Sequence, residues 1–297
     1  MAPWRPRSPE APPKLQTRRK FLKNATLTAA SSLGIAGYGF STALDLPGVR
    51  RRSFELGALP AAWDGLKVLQ ISDVHAGPYM STDRMSRLRD LAMRLDPDLI
   101  VFTGDQMDRR ASDAELFARG FQGIQAPLGV WGILGNHDHF IDPARSEWAL
   151  EAAGIEPLVN SGVTFDRGGS TLALVGIEDL QARDGREPDF SILGHYPTSF
   201  RLCLCHQPQG WHRAAEAGAH LTLAGHTHGG QIALTGRNLN VARFSTRYIA
   251  GPYRREEAFL YVSRGVGVGA VPVRVGAPPE IDLLTLRSPA IGNRAAA

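Results

Sequence analysis

Two cysteines, four lysines and no run of about twenty strongly apolar residues set the first limits on this 297-residue chain. Cys203 and Cys205 stand two apart in a short apolar run, so on a strand they face the same way, and an i,i+2 bridge there would be strained. Two cysteines do not make a disulfide framework. Both read as small buried apolar residues, with thiolate metal ligation as the weaker alternative. Lysine occurs at Lys14, Lys20, Lys23 and Lys67, so the basic charge rests on arginine, a bias of overall composition rather than a binding signal. The net +4 is unevenly spread. Residues 1–52 hold ten Lys/Arg and two Asp/Glu, a net +8, whereas the rest holds 23 and 27, a net −4. A main body that is slightly acidic argues against a nucleic-acid face, and no nucleic-acid partner is expected. Internal repeats are missing, and so are low-complexity tracts beyond the proline-rich start.

What the leader does contain is an address. Thr17-Arg18-Arg19-Lys20-Phe21-Leu22-Lys23 resembles a twin-arginine export signal, followed by a weakly apolar, Ala/Gly/Ser/Thr-rich stretch from Ala25 to Phe40. The expected partner is the twin-arginine export machinery, which carries folded proteins, and the expected location is periplasmic or membrane-anchored facing outward. The leader is either removed after about Ala43 or kept as an anchor. Arg50-Arg51-Arg52 reads equally as a contact with a membrane surface or as a solvated charge run. The resulting organisation is a 1–50 leader, a 51–290 main domain and a 291–297 tail. About 245 residues with 43% apolar content are enough for one α/β domain.

Within that domain, five polar clusters follow five short apolar runs. Lys67–Ser72 precedes Asp73-Val74-His75, and Asp98–Thr103 precedes Gly104-Asp105-Gln106-Met107-Asp108. Gly129–Leu134 precedes Gly135-Asn136-His137-Asp138, Arg201–Cys205 precedes His206, and His220–Ala224 precedes Gly225-His226-Thr227-His228. Short apolar runs bounded by glycine or polar residues predict strands buried on both faces. In layered α/β sheets, ligands gather beyond the carboxyl ends of such strands. Aspartate, asparagine and histidine together suit divalent Mn, Fe or Zn. Each cluster alone is weak evidence, since a Gly-Asn-His is usually a tight turn and a lone histidine usually structural. Five in order point to a metal site. His139, His195, His212 and His220 lack this context and read as surface or structural histidines.

The ordered series D-x-H, G-D-x-x-D, G-N-H-D, H, G-H-x-H resembles the signature of calcineurin-like metallophosphoesterases, from about Leu66 to Leu286. Gly225-His226-Thr227-His228-Gly229-Gly230-Gln231 is similar to a bacterial, twin-arginine-exported phosphodiesterase subgroup. The resemblance implies two divalent ions sharing a hydroxide. One would be held by Asp73, His75, Asp105 and His228, the other by Asp105, Asn136, His206 and His226, with Asp105 bridging. It also implies that His137 stabilises the phosphoryl group and protonates the leaving oxygen. Asp138 would orient His137 or an adjacent ligand, and Asp108 would hold the Asp105 loop.

Helices are expected from Ser81 or Thr82 to Leu95, from Ser112 to near Gly123, and from Asp142 to Ala153 with Pro143 in the first turn. From Ile155 strands dominate, at 156–159, 163–166, 171–176, 258–263 and 281–286. The expected fold class is therefore α/β: a four-layer αββα sandwich of two mixed β-sheets flanked by helices. Substrate recognition is least legible. The loops at 184–198 and 234–255 are expected to shape the pocket, and Arg237, Arg254 and Arg264 are candidates for gripping phosphate, since guanidinium forks match its oxygens. The subgroup resemblance implies a phosphodiester substrate, a UDP-glycolipid diphosphate or another envelope lipid. The alternatives are a phosphomonoesterase or nucleotide phosphatase, and a non-catalytic metal-binding scaffold.

Overall fold

The five apolar runs that precede the polar clusters all form strands, and their carboxyl ends meet along one edge of two packed sheets. The computed structural model describes Gly34 and residues 37–289, apart from 184, 197, 199, 235–238 and 270. The twin-arginine segment, most of the apolar stretch behind it, Arg237 and the tail lie outside the described residues. Among the described residues no helix is long and apolar enough to cross a membrane.

The first sheet contains β1 (Gly48–Glu55), β2 (Lys67–Ile71), β3 (Leu99–Thr103), β4 (Val130–Ile133), β5 (Glu156–Pro157) and β14 (Glu280–Arg287), in the order β1-β14-β2-β3-β4-β5. β2 through β5 run parallel, and β14 is antiparallel to β2. The second sheet contains β6 (Ser161–Arg167), β7 (Ser170–Gly176), β8 (Phe200–Leu204), β9 (Leu221–Ala224), β12 (Gly251–Arg255) and β13 (Ala258–Val262), in the order β12-β13-β9-β8-β7-β6. A two-stranded ribbon joins β10 (Ala233–Leu234) to β11 (Leu239–Asn240).

Between the sheets lies a core that includes Val68, Leu99, Val101, Ile133, Leu174, Leu202, Leu223 and Leu284. Helices cover the outer face of the first sheet: α1 (Thr82–Arg94), α2 (Asp113–Phe121), α3 (Asn136–Ile141) and α4 (Pro143–Ala153). A 3₁₀ segment, Phe190–His195, and α5 (Trp211–Glu216) cover the second. Cys203 and Cys205 are buried free thiols in that outer layer. Burial pushes the Cys205 thiol up to about 12, which suits a packing role and disfavours a thiolate ligand.

The helix punctuation follows the sequence closely. Ser81 caps α1 by accepting from the Arg84 amide, Asp142 caps α4 by accepting from the Arg145 amide, and Gly154 ends α4 in the left-handed region. α2 departs from expectation. Ser112 makes no side-chain cap; Asp113, one residue on, accepts from the Arg109 and Arg110 amides instead. β1 was not anticipated. Its Arg50-Arg51-Arg52 run is part of a sheet-edge strand, with Arg51 and Arg52 exposed and Arg50 paired to Glu280 at 3.1 Å. Charge on an edge strand discourages pairing with a foreign strand.

Asp282 on β14 is buried with Tyr261 and Ser263, whose hydroxyls both donate to it at 2.6 Å. Burial, then the nearby Glu280 charge, push its pKa up to about 7. The folded chain therefore holds a proton that the unfolded chain has lost, across the window from about pH 4 to pH 7. Stability from this group falls as pH rises through the window, at roughly 1.4 kcal/mol per pH unit, and is flat above it. Asp282→Asn cannot ionise. Relative to the wild type it should gain roughly 1–4 kcal/mol between pH 4 and pH 8. Urea midpoints at the two pH values check this, and parallel pH dependence in both proteins would exclude it.

Candidate metal centre

Backbone conformation turns the candidate ligands toward one another. Asp73, His75, Asp105, His226 and His228 all have positive φ, between 48° and 70°, and make up five of the nine described non-glycine residues that do. Each such residue bears conformational strain that the surrounding structure must hold in place. The strand-end loops are locked in pairs: the Asp73 amide donates to Gly104 O, and the His75 amide to Asp105 O. Across the sheets, Gln70 Nε2 donates to Ala224 O at 2.9 Å and to Thr103 Oγ1 at 3.0 Å, tying β2 to β9 just behind the centre. Gly135 and Gly225 permit close approach, since a Cβ on either would collide with the Asp105 or Asp73 carboxylate.

Three groups of potential ligand atoms result among the described residues, one of which, His75, Asp108 and His137, shares His75 with another. Asp73, His75, Asp105 and His228 each offer one atom within 4.8 Å of the others, and so do Asp105, His206 and His226. Asn136 Oδ1 completes the latter group, 3.2 Å from His206 Nε2 and 2.8 Å from His226 Nδ1. Asp105 belongs to both. Its Oδ2 lies 3.5 Å from His75 Nε2 and 3.3 Å from His206 Nε2, while Oδ1 accepts from the His137 amide at 2.9 Å.

The chemistry of the set fits divalent cations. His75 Nε2 and His228 Nε2 face each other at 3.0 Å in a buried space. Burial pushes His75 down to about 3 and His226 to about 4, and it lowers His228 as well. These rings are neutral at ordinary pH, as ligating imidazoles must be. His206 differs. Burial disfavours its charge, but the adjacent Asp105 carboxylate outweighs that and holds its pKa well above the usual value. Its Nδ1 donates to Thr103 O at 2.7 Å, which fixes the ring and aims Nε2 at the centre.

The neighbouring residues divide more finely than the motifs implied. Asp138 is buried, and its carboxylate accepts from the amides of Gly135, Gln106 and Met107 and from Ser146 Oγ, at 2.7–3.2 Å. Those bonds orient the loops carrying Asp105 and Asn136 rather than the His137 ring. The Asp108 carboxylate pairs with Arg109 and faces His75 Nδ1 at 3.8 Å, whereas its carbonyl lies 3.1 Å from His137 Nδ1. His137 is half-buried and stands edge-on to His75, with ring centroids 4.6 Å apart. His139 is structural, its Nε2 2.7 Å from buried Glu178. His212 and His220 bond Tyr248 and the Arg201 amide.

Of the arginine candidates, Arg264 pairs with Glu280 at 2.8 Å and lines a cavity of about 470 Å³ with Arg243, Arg247 and Tyr253. Arg254 is not among the residues lining that cavity; it pairs with Glu257 at the surface. Arg237 lies outside the described residues.

Arg274 was missed by the sequence reading. It is fully buried, and its guanidinium donates to the carbonyls of Gly267, Ala277, Arg264 and Gly265, with Nη2 3.1 Å from His228 Nδ1. The available signal was an arginine inside the apolar alternation Val271-Pro272-Val273-Arg274-Val275. Arg274→Met should strand these carbonyls and destabilise the fold by about 1–3 kcal/mol or more. Metal affinity should fall by roughly 10–100-fold through the loosened His228 loop. Thermal unfolding and metal titration read the two effects. Unchanged affinity in a folded variant would separate Arg274 from the centre.

Residues 66–230 match the family described as calcineurin-like phosphoesterase. Three similar proteins illustrate the range. A Bacillus subtilis protein described as an uncharacterized metallophosphoesterase, YkuE, is 29% identical over 93% of this chain and 99% of its own length. An Escherichia coli protein described as phosphodiesterase YaeI is 29% identical over 91% of this chain and 99% of its own. A Bos taurus transmembrane protein with a metallophosphoesterase domain is 28% identical over 92% of this chain. The chain spans 65% of that bovine protein's length.

Proposed function

The chain belongs to the calcineurin-like phosphoesterase family, whose members are metal-dependent hydrolases of phosphoric esters, and we propose that it is an exported phosphodiesterase that uses two divalent ions. The observation that carries this reading is the pair of ligand groups sharing Asp105. Asp73, His75, Asp105 and His228 would hold one ion, and Asp105, Asn136, His206 and His226 the other. Bound divalent ions supply Lewis acidity at the phosphoryl group and a nucleophile available at neutral pH. The chain's own residues do the rest. His206 is aimed by Thr103 O, and Asp138 fixes the Asp105 and Asn136 loops. His137, its Nδ1 directed to Asp108 O, keeps Nε2 to protonate the leaving oxygen.

The preference for diesters over monoesters rests on the relative described as a phosphodiesterase. A UDP-glycolipid diphosphate or another envelope lipid is the substrate class we favour, with manganese, iron or zinc as the ion. Hydrolysis of bis(p-nitrophenyl) phosphate with and without Mn²⁺, beside p-nitrophenyl phosphate, tests the assignment. Metal binding without turnover of either ester would leave a non-catalytic scaffold. Export by the twin-arginine route predicts that Arg18→Lys with Arg19→Lys leaves folded, active protein in the cytoplasm. Normal export of that double variant would defeat the proposal.

A further inference from the structure

The segment that follows the last two ligands has an unusual surface. Residues 226–255 contain five arginines and no Asp or Glu, a net +5, although residues 53–297 as a whole carry a net −4. Large apolar side chains stand exposed in and beside this segment: Phe244 at 95%, Val241 at 57%, Val271 at 55% and Ile232 at 40%. They are neighbours in space. The Val241 amide donates to Ile232 O, and Gln231 Nε2 donates to Val271 O. Val241 and Phe244 begin and end one 3₁₀ turn, and side chains three apart in such a turn project to the same side. A nearly naked phenylalanine among exposed aliphatics marks a surface that is covered in use.

A further observation says what covers it. Arg243 and Arg247, from the same turn and just beyond it, are exposed. With Arg264 they line the 470 Å³ cavity, which has no carboxylate among its described lining residues. The patch thus pairs apolar side chains with an anion seat, the complement of a phospholipid headgroup above its acyl chains.

We propose that the Ile232, Val241, Phe244 and Val271 rim docks on an anionic lipid bilayer, with Arg243 and Arg247 engaging headgroup phosphates. Val241 also lines the small pocket reaching His226 and His228. Docking by this rim places the ligand groups at the headgroup level, so the ester cleaved is one carried by a membrane amphiphile. That last step rests on the hydrolase reading; the docking itself does not.

The test uses the full chain with Phe244→Cys carrying an environment-sensitive NBD probe, since Cys203 and Cys205 are buried. Phosphatidylcholine vesicles containing phosphatidylglycerol should blue-shift the probe, and nitroxides on the acyl chains should quench it. Pure phosphatidylcholine should act far more weakly. A probe at Trp148→Cys on α4 should stay in water. Phe244→Asp should cut partition to the anionic vesicles by about tenfold and slow a vesicle-borne phosphoester by a similar factor, with soluble bis(p-nitrophenyl) phosphate turned over normally. A 244 probe that remains aqueous while the leader carries the protein onto vesicles would overturn the proposal. So would a probe shift that appears without vesicles alongside a doubled mass, which would assign the rim to a second copy. Failure of the hydrolase reading is seen separately, as no turnover of the soluble ester by wild type.

Discussion

Asp105→Asn should fold normally, bind neither metal tightly and lose at least roughly 10³-fold in turnover. Asn tolerates the left-handed backbone that position 105 requires, at φ 57°, so the loop need not rearrange. The His75 amide bond to the 105 carbonyl also survives, because it is a main-chain contact. What changes is charge and denticity. Asp105 offers an anionic oxygen to both ligand groups, while an amide offers one neutral oxygen. Its charge also sustains the raised pKa of His206, so the variant's His206 should titrate much lower. Metal content by mass spectrometry, with circular dichroism as the folding control, reads the result. Two tightly held ions in a folded variant would refute the bridging assignment.

The parts of this protein that were legible in its sequence are those with local physical causes. The five strands leading into the centre announced themselves because they are buried on both faces, as the unbroken burial of β3 and β9 shows. α1 was readable from its cap and one-sided apolar spacing, and α4 from Asp142-Pro143 at its start and Gly154 at its end. β1 was hidden because seven of its eight residues are not buried, so a strand-like alternation had no core to report. α3 was hidden because Asn136, His137 and Asp138 are legible as chemistry and a six-residue helix is too short to show an apolar period. The ligand motifs were visible because metal chemistry restricts residue type. The long-range supports were not, since Gln70, Arg274 and Glu178 act through partners as much as 154 residues away. The exposed rim of Ile232, Val241, Phe244 and Val271 carried no periodic signal, and it becomes meaningful only once burial is known.

His137→Ala separates chemistry from metal binding and should leave both ions in place. His137 joins the centre through its amide, which donates to Asp105 Oδ1, and that bond is retained in alanine. Its ring lies beside His75 without replacing any of the seven proposed ligands. Turnover should fall by roughly 10²–10⁴, the usual range for a positioned general acid. The loss should be steepest for esters with alkoxide leaving groups, which cannot depart without a proton. p-Nitrophenolate departs unprotonated, so its esters should suffer less. Exogenous imidazole should restore part of the alkoxide rate. One competing outcome is informative. Atomic absorption could show the variant lacking an ion, and His137 would then be a ligand, consistent with its ring atom lying within 4.8 Å of those of His75 and Asp108. Equal losses for good and poor leaving groups would instead assign the ring to electrostatic stabilisation of the phosphoryl oxygens, with the proton coming from water.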